Sequence, residues 1–539
     1  MSDARCLRVY PAAELAAREA EFVKATPSYR DPSGLAGLRQ RDYARLDELG
    51  DVYLDYTGGG LYAESQVRRH HELLARGVFG NPHSHNPTSL ASTALVNQAR
   101  EAVLRYFNAS PDEYEVIFSS NASGALKLVG ESYPFEPGGT YLLSYDNHNS
   151  VNGVREFARS KGARVIYVPV RRPELRLDAG LIDKHLSGPN TGHPRLFAYP
   201  AQSNFSGVQH PLEWVDRAQA NGWDVILDAG LIDKHLSEPD TGHPRLFAYP
   251  AQSNFSGVQH PLEWVDRAQA NGWDVILDAA AFVPTNRLDL SVVKPDFVPI
   301  SFYKMFGYPT GVGSLLARRE TLDRLRRPWF AGGTITLASV QGDGWYRLAP
   351  GATGFEDGTV DYLGLPAITI GLEHITAVGI ETIHDRVCAL AGWLLGEMGG
   401  LVHTNGAPMA RVFGPSDTKK RGATIAFYLL DPEGIVYDVY EVERLAGEQR
   451  ISVRTGCFCN PGDGEVAHDV TREEMAECFA ADVPTTLADC QRLIHDATGK
   501  VPNTIRISLG IASTFADVYR FMGFAASLRD VPAGHVPAR

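Results

Sequence analysis

The sequence predicts an α/β protein: a mostly parallel sheet covered by helices on both faces, followed by a smaller α+β domain. Three observations lead there. Short apolar strand patterns alternate with amphipathic helical patterns from about residue 51 to about 330, which is the signature of βα units. After about residue 325 the pattern changes to turn-rich segments, one long helix, and then grouped strands and helices. The chain has 539 residues, 44% apolar and 21% charged, enough for a large core and more than one domain. The expected organisation is a helical segment at 1–50, a large domain at 51–330, a small domain at 331–527, and a polar tail at 528–539.

In chain order, residues 12–50 read as helices and YLDYTGGG at 53–60 as a strand running into a glycine turn. A helix at 63–76, the loop GNPHSHNPTS and a helix at 89–107 follow. EVIFSS is a strand, NASGALKLVG opens a helix, TYLLSYD is a strand, and a helix near 151–160 leads into the strand ARVIYVPV. The strand VILD ending at Asp278, the run FVPISF and the strand VGSLLAR complete the large domain. FAGGTITLAS and FEDGT are turn-rich, and a long helix runs from about 366 to about 397. The strands RGATIAFYLL and ISVRTG, helices at 471–480 and 485–495, the strand TIRISLG and a closing helix make the small domain.

Residues 177–226 and 227–276 are the same fifty residues except at Gly188 against Glu238 and Asn190 against Asp240. Solenoid repeats normally come in three or more diverged copies; two near-identical copies look like a recent tandem duplication or a sequence-assembly error. Each copy reads as helix, strand (RLFAYP), loop (AQSNFSGVQH), helix (PLEWVDRAQANG) and strand (WDVILD), with Pro at the first helical position and Gly after the last turn. A parallel sheet has little room for the unit twice. The expectation is therefore that the second copy, which continues into the Lys304 strand, stays in the core. The first copy is expected to be extruded as a satellite lobe, with its break near 188–193 or 238–243.

A formal net charge of −13 argues against a nucleic-acid partner. No stretch approaches the ~20 apolar residues of a membrane span, and the N-terminus lacks the apolar core of a secretion signal. Six cysteines in a chain this long do not suggest a disulfide framework, and a reducing cytoplasm is the expected compartment.

Lys304 lies in SFYKMFGYPTGVGSLLARR, beside hydroxyls and glycines at the edge of a strand, where a lysine can form a Schiff base with an aldehyde. Asp278 ends a nearby strand and is placed to hold a pyridinium nitrogen. The pair suggests pyridoxal phosphate. Ser123 and Gly124, where NASGALK opens a helix, could hold a phosphate, although the same residues suit an ordinary helix start. His148 in DNHNSVNGVRE could stack on a flat ring or simply be solvated. Asn204 or Asn254 in AQSNFSG could bond a ring hydroxyl or serve the turn. Ser301 could reach a phosphate, and Thr334, after two glycines, could arch into the site of a partner subunit.

ISVRTGCFCNPG carries the second strong signal. Cys457 and Cys459 have the C-x-C spacing of half a metal site, but no further pair or His cluster completes four ligands. A reactive thiol near Arg454 is the better reading, since nearby positive charge raises the thiolate fraction. Cys478 and Cys490 lie in helical patterns and are expected to be buried. Arg506, in TIRISLG, is the candidate for a bidentate carboxylate contact.

Together YLDYTGGGLY, NASGALKLV, DNHNSVNGVRE, QSNFSG, FVPISFYKMFGYPTG, FEDGT and RTGCFCNPG resemble the class V aminotransferase-like family of pyridoxal-phosphate enzymes. Within it the cysteine desulfurases are most similar, in particular the desulfurase-like N-terminal domain of molybdenum cofactor sulfurases. The resemblance covers roughly residues 35–525. It implies a type I pyridoxal-phosphate transferase fold with a seven-stranded sheet, and a homodimer with Thr334 acting across the interface. It implies that Lys304 carries the cofactor, that His148 stacks on its ring and that Asp278 and Asn254 hold that ring. Ser123, Gly124, Ser301 and Thr334 would serve the phosphate, Arg506 and Arg454 the substrate, and Cys459 would receive sulfur from L-cysteine as a persulfide. The sulfur acceptor is not readable. Such sulfurases carry a further C-terminal domain, whereas this chain runs only a short way past its closing helix, and NPGDGEVAHD after Cys459 lacks a further cysteine. Transamination, epimerisation and β-elimination on the same scaffold, or an inactive scaffold, are the competing readings.

Overall fold

In a computed structural model of the chain, the βα alternation is realised as one layer of mostly parallel strands. The structure describes residues 8–29, 35–132, 137, 140–144, 149–168, 170–171, 176–177, 195–200, 214, 218, 224–228, 246–252, 259, 262–270, 274–325, 327–342, 344–413, 416–419, 421–456, 458, 471–480, 486–498 and 503–535. One ladder runs in the order Tyr114–Ser119, Gly313–Arg318, Phe297–Ser301, Asp274–Asp278, Leu246–Pro250. Gly313–Arg318 is antiparallel to both neighbours, and the remaining pairs are parallel. A second, all-parallel ladder runs Arg164–Val168, Thr140–Ser144, Arg195–Pro200, Asp224–Asp228. Asp224–Asp228 lies beside Leu246–Pro250 without a ladder register, so the two ladders of five and four strands line up edge to edge.

This corrects the expected satellite lobe. Both copies of the repeat enter the layer. The first contributes Arg195–Pro200 and Asp224–Asp228, and the second Leu246–Pro250 and Asp274–Asp278, in matching registers (Ala198 opposite Ile226, Ala248 opposite Ile276). The expected seven strands become nine among the described residues, because the extra copy adds its own two. The physical reason is that an extruded pair would expose two unpaired edges, whereas a parallel unit slotted into the layer meets a strand on each side. The loops near 188–193 and 238–243 lie outside the described residues.

Local chemistry sets the helix boundaries. Pro87–Tyr106 starts with Pro at its first position under an Asn86 cap that accepts from Ser89 N. Asn121 caps Ala122–Glu131 by accepting from Gly124 N at 3.0 Å. The long helix is two, Pro366–Val378 and Ile380–Gly399, divided by Gly379 at φ 91°.

A second sheet, antiparallel throughout, has the order Ala410–Val412, Thr424–Leu429, Thr504–Ser508, Arg454–Gly456. Val52–Tyr53 pairs in parallel with Ile451–Ser452, so the start of the chain is sewn to the C-terminal third. Cys478 and Cys490, each 6% exposed, are buried as expected. They are also joined in a disulfide between Arg472–Ala480 and Leu487–Thr498, which the cysteine count did not suggest.

Candidate active site

Phe297–Ser301 is buried along its whole length and delivers the chain into the short helix Phe302–Phe306. Phe302, Met305 and Phe306 point into the core, which leaves Tyr303 and Lys304 half-buried on the other side. Gly307, at φ 78°, ends the helix. The glycine turn after Val52–Tyr53 seats directly on it: Gly60 N donates to Tyr303 O at 2.9 Å, and a Cβ on Gly60 would stand 3.0 Å from Lys304 O. That contact explains why YLDYTGGG needs its third glycine. Lys304 lines a narrow cleft with Tyr56, Thr57, Gln252, Thr285, Thr424 and Ile511.

Asp278 ends the strand next to Phe297–Ser301, half-buried, and its carboxylate accepts from Ala280 N at 3.0 Å. Ala280 and Ala281, the turn that follows it, form part of the Lys304 cleft. Asp228 ends the equivalent strand of the first copy, two strands away and hence about 10 Å along the sheet. The copy that reaches the lysine is therefore the second.

Three of the phosphate candidates, Ser123, Gly124 and Ser301, meet at the start of Ala122–Glu131, outside the residues that line the Lys304 cleft. Ser301 Oγ, in a residue only 2% exposed, accepts from Ala122 N at 3.0 Å, which joins the end of the lysine strand to the N-terminus of Ala122–Glu131. Gly313 backs the junction; a Cβ there would fall 2.5 Å from Ile300 O and 2.6 Å from Asn121 Cα. Ser123 Oγ lies 2.9 Å from Ser150 Oγ. Ser150 was not singled out in the sequence, although DNHNS places it two residues past His148. His148 and Asn254 lie outside the described residues. Gln252, from the same AQSN loop as Asn254, is 3% exposed and donates to Ala281 O at 2.9 Å.

The arginines meet on an acid that the sequence reading passed over. Asp55 Oδ2 accepts from Arg454 Nε at 2.8 Å and Nη2 at 2.6 Å, while Asp55 Oδ1 accepts from Arg506 Nη2 at 3.2 Å. The hydrogen bond to Asp55 holds the Arg454 guanidinium above its usual pKa. Burial, reinforced by Asp55, pushes the neighbouring Tyr53 phenol up to about 12. Thr57, two residues on, bonds Thr424 across the cleft, Oγ1 to Oγ1 at 2.7 Å. The signal was present in YLDYT; its partners lie about 400 residues away in sequence.

Thr334 is fully buried, and its hydroxyl is engaged in its own turn, donating to Ala331 O and accepting from Ala331 N, both at 2.8 Å. It stands at the base of the hairpin Ile335–Ala338/Tyr346–Leu348, whose Leu337, Val340 and Trp345 are exposed together with the nearby Trp329 and Phe330. Cys457 and Cys459 lie outside the described residues. Cys388, the free cysteine among the described residues, has its thiol pushed up to about 11 by burial, which makes it a poor nucleophile. Among the described residues there is no group of three or more His, Cys, Asp or Glu that could hold a metal ion, and no helix long and apolar enough to cross a membrane.

The family model for aminotransferase class-V matches residues 52–236 and 226–521. The two stretches overlap at the junction between the repeat copies. Molybdenum cofactor sulfurase of Solanum lycopersicum is 33% identical over 94% of this chain and 59% of its own length. That of Homo sapiens is 34% identical over 94% of this chain and 52% of its own. The chain thus spans between half and three fifths of these relatives. Among solved structures, the apo cysteine desulfurase of Thermococcus onnurineus NA1 superposes with a TM-score of 0.59 at 20% identity, covering 93% of this chain and 98% of that one. The cysteine desulfurase CsdA of Escherichia coli gives 0.58 at 18%, covering 92% and 99%. A variant of C-DES with glycine linked to its PLP cofactor gives 0.57 at 16%, covering 90% and 98%. These likenesses concern the fold.

Proposed function

Because the chain belongs to the aminotransferase class-V family, we propose that it is a pyridoxal-phosphate-dependent cysteine desulfurase of the molybdenum cofactor sulfurase type, which moves sulfur from L-cysteine to Cys459 and releases alanine. The observation that carries this reading is the lysine strand itself: Lys304 lines a cleft with Ala280 and Ala281, which follow the Asp278 strand end, and Ser301, three residues before it, is tied to the N-terminus of Ala122–Glu131. These groups fit the cofactor: an amine at the cleft, a carboxylate at a strand end, and hydroxyls at a helix N-terminus favourable to a phosphate. When bound, pyridoxal phosphate supplies an electron sink for the substrate's α-carbon.

The protein's own groups divide the remaining work. Asp278 would hold the ring nitrogen, Asn254 the ring hydroxyl, and His148 would cover the ring face, although the strand that leads to His148 stands four strands from that of Asp278. Ser123, Gly124 and Ser301 would hold the phosphate. Arg506, with Arg454 behind it, orients the substrate through its carboxylate. Lys304 Nζ takes and returns the proton at the α-carbon. Cys459 Sγ forms the new S–S bond as the substrate's C–S bond breaks. L-cysteine and the Cys459 thiol thereby become L-alanine and a Cys459 persulfide, ready for an acceptor.

The reading includes a homodimer in which the exposed apolar hairpin meets the partner and Thr334 helps to complete its phosphate site. It also includes a cytoplasmic location, where Cys459 stays reduced; the buried Cys478–Cys490 bridge is the feature least expected there.

The test is the purified protein supplied with pyridoxal phosphate and L-cysteine. Alanine should accumulate, and peptide mapping should find the extra sulfur on Cys459. Lys304→Ala should lose the borohydride-fixable cofactor, and Cys459→Ser should keep the cofactor but form no persulfide. Accumulation of a keto acid instead of alanine, or persulfide on Cys457, would overturn the assignment.

A further inference from the structure

Phe458 stands between Cys457 and Cys459, and it is packed on the arginine assigned to the substrate. Its ring is buried, 8% exposed, and the guanidinium carbon of Arg506 lies 4.7 Å from its centroid, within cation–π range. Phe458 adopts φ 50°, a left-handed conformation that a bulky residue keeps only where its surroundings impose it. The same guanidinium is held at its edge by Asp55, through Nη2 at 3.2 Å. Asp55 is itself fixed: its carbonyl accepts from Gly58 N at 3.0 Å and Gly59 N at 3.1 Å, it bridges to Ser508, and Arg454 grips its other oxygen. The Arg506 guanidinium thus lies over the Phe458 ring while one of its N–H groups is held by Asp55.

We infer that Phe458 is a positioning residue that docks against the Arg506 guanidinium, which Asp55 holds in place, and so seats Cys459. The inference rests on the reading of Cys459 as the sulfur-accepting thiol. One arginine then does two tasks. It orients the substrate carboxylate, and it seats the residue covalently next to the thiol that must meet the substrate's sulfur. Anchor and acceptor are thereby registered to each other through a single side chain.

Two measurements test this. The first needs no turnover: the rate of iodoacetamide alkylation at Cys459, resolved by peptide mapping. Phe458→Ala should raise it about tenfold, which corresponds to 1.4 kcal/mol of lost docking. Phe458→Tyr should keep the parental rate, Phe458→Leu, which fills the space without a π face, should be raised, and Asp55→Asn should move in the same direction as Phe458→Ala. The second is single-turnover persulfide formation, which should fall about tenfold in Phe458→Ala, with KM for L-cysteine changed less than twofold. Parental alkylation and persulfide rates in Phe458→Ala, or a tyrosine variant as fast as the alanine one, would overturn the docking role. If the unaltered protein forms no persulfide at all, the desulfurase reading fails, while the alkylation series still decides whether Phe458 seats the loop.

Discussion

Excision of residues 227–276 should give a chain that folds as well as the full one and works better. The cut joins Ile226 to Leu277, the same dipeptide that each copy already makes. The hybrid strand would run Asp224, Val225, Ile226, Leu277, Asp278. Ile226 stands opposite Ala198 as Ile276 stands opposite Ala248, so the hybrid keeps its pairing with Arg195–Pro200 and offers Phe297–Ser301 the edge it now finds on Asp274–Asp278. One ladder of five registered positions is lost, and so is the seam between Asp224–Asp228 and Leu246–Pro250, which carries no register. At about 4.8 Å per strand, Thr140–Ser144 now stands four strands, about 19 Å, from the Asp278 strand. After excision it stands two strands, about 10 Å, away. On the proposed reading the segment that follows Thr140–Ser144 must bring His148 to the ring held by Asp278, and a displacement of 1 Å at a reacting centre can cost about 100-fold. The excised protein should bind the cofactor at least as fully, by absorbance per chain, and show kcat/KM for alanine production raised about tenfold or more. Insoluble product, or lost cofactor where the full chain holds it, would show that both copies are needed and that the registers are not interchangeable.

Three further outcomes follow from the site and its supports. Asp278→Ala should abolish alanine production, and Asp228→Ala should leave it within about twofold, since only the former adjoins the lysine strand; alanine-release assays on both decide. Trp345→Glu, on the exposed hairpin, should move the protein from dimer to monomer in sedimentation, with lowered cofactor affinity through the Thr334 segment. Burial opposes the charge on Asp431, but backbone amides of Ala533, Ile435 and Glu433 outweigh it and hold the carboxyl below its usual range. Its folded pKa is depressed, so its contribution is complete above the unfolded value of about 3.9 and is lost as pH falls through the folded value. Asp431→Asn should therefore cost about 1–3 kcal/mol at pH 7 and flatten the loss of stability below about pH 4, as read from urea melts across pH.

Legibility in the sequence followed the range of each interaction. The Asn121 cap, the lysine strand and the Asp278 strand are set by residues within a turn or two, and local patterns carried them. The place of the duplicated unit was not legible, because identical copies have identical registers, and the choice is made by what the whole layer can pair. The Asp55 clamp was missed because its partners stand 399 and 451 residues on. The Cys478–Cys490 bridge was missed because each cysteine alone looks like an ordinary buried helix residue. Thr334 was read from its two glycines as arching into a partner's site and from the family resemblance as serving the phosphate there, and within one chain its hydroxyl closes its own turn.

The parallel pairing of Val52–Tyr53 with Ile451–Ser452 also sets an order of events during synthesis. The Asp55–Arg454 contact beside it spans 399 residues. At about 5–20 residues per second, roughly 20–80 s pass between the appearance of the first partner and the second. The whole parallel layer leaves the ribosome in that interval and can close as a unit. The first sixty residues must wait, with apolar groups such as Leu54 and Tyr56, buried in the finished protein, still uncovered. The glycine turn that seats on the lysine helix belongs to this waiting segment, so the cleft takes its final shape last. A truncated product would therefore lack a finished cleft and expose an unsatisfied N-terminal strand, which marks it for chaperone binding or proteolysis.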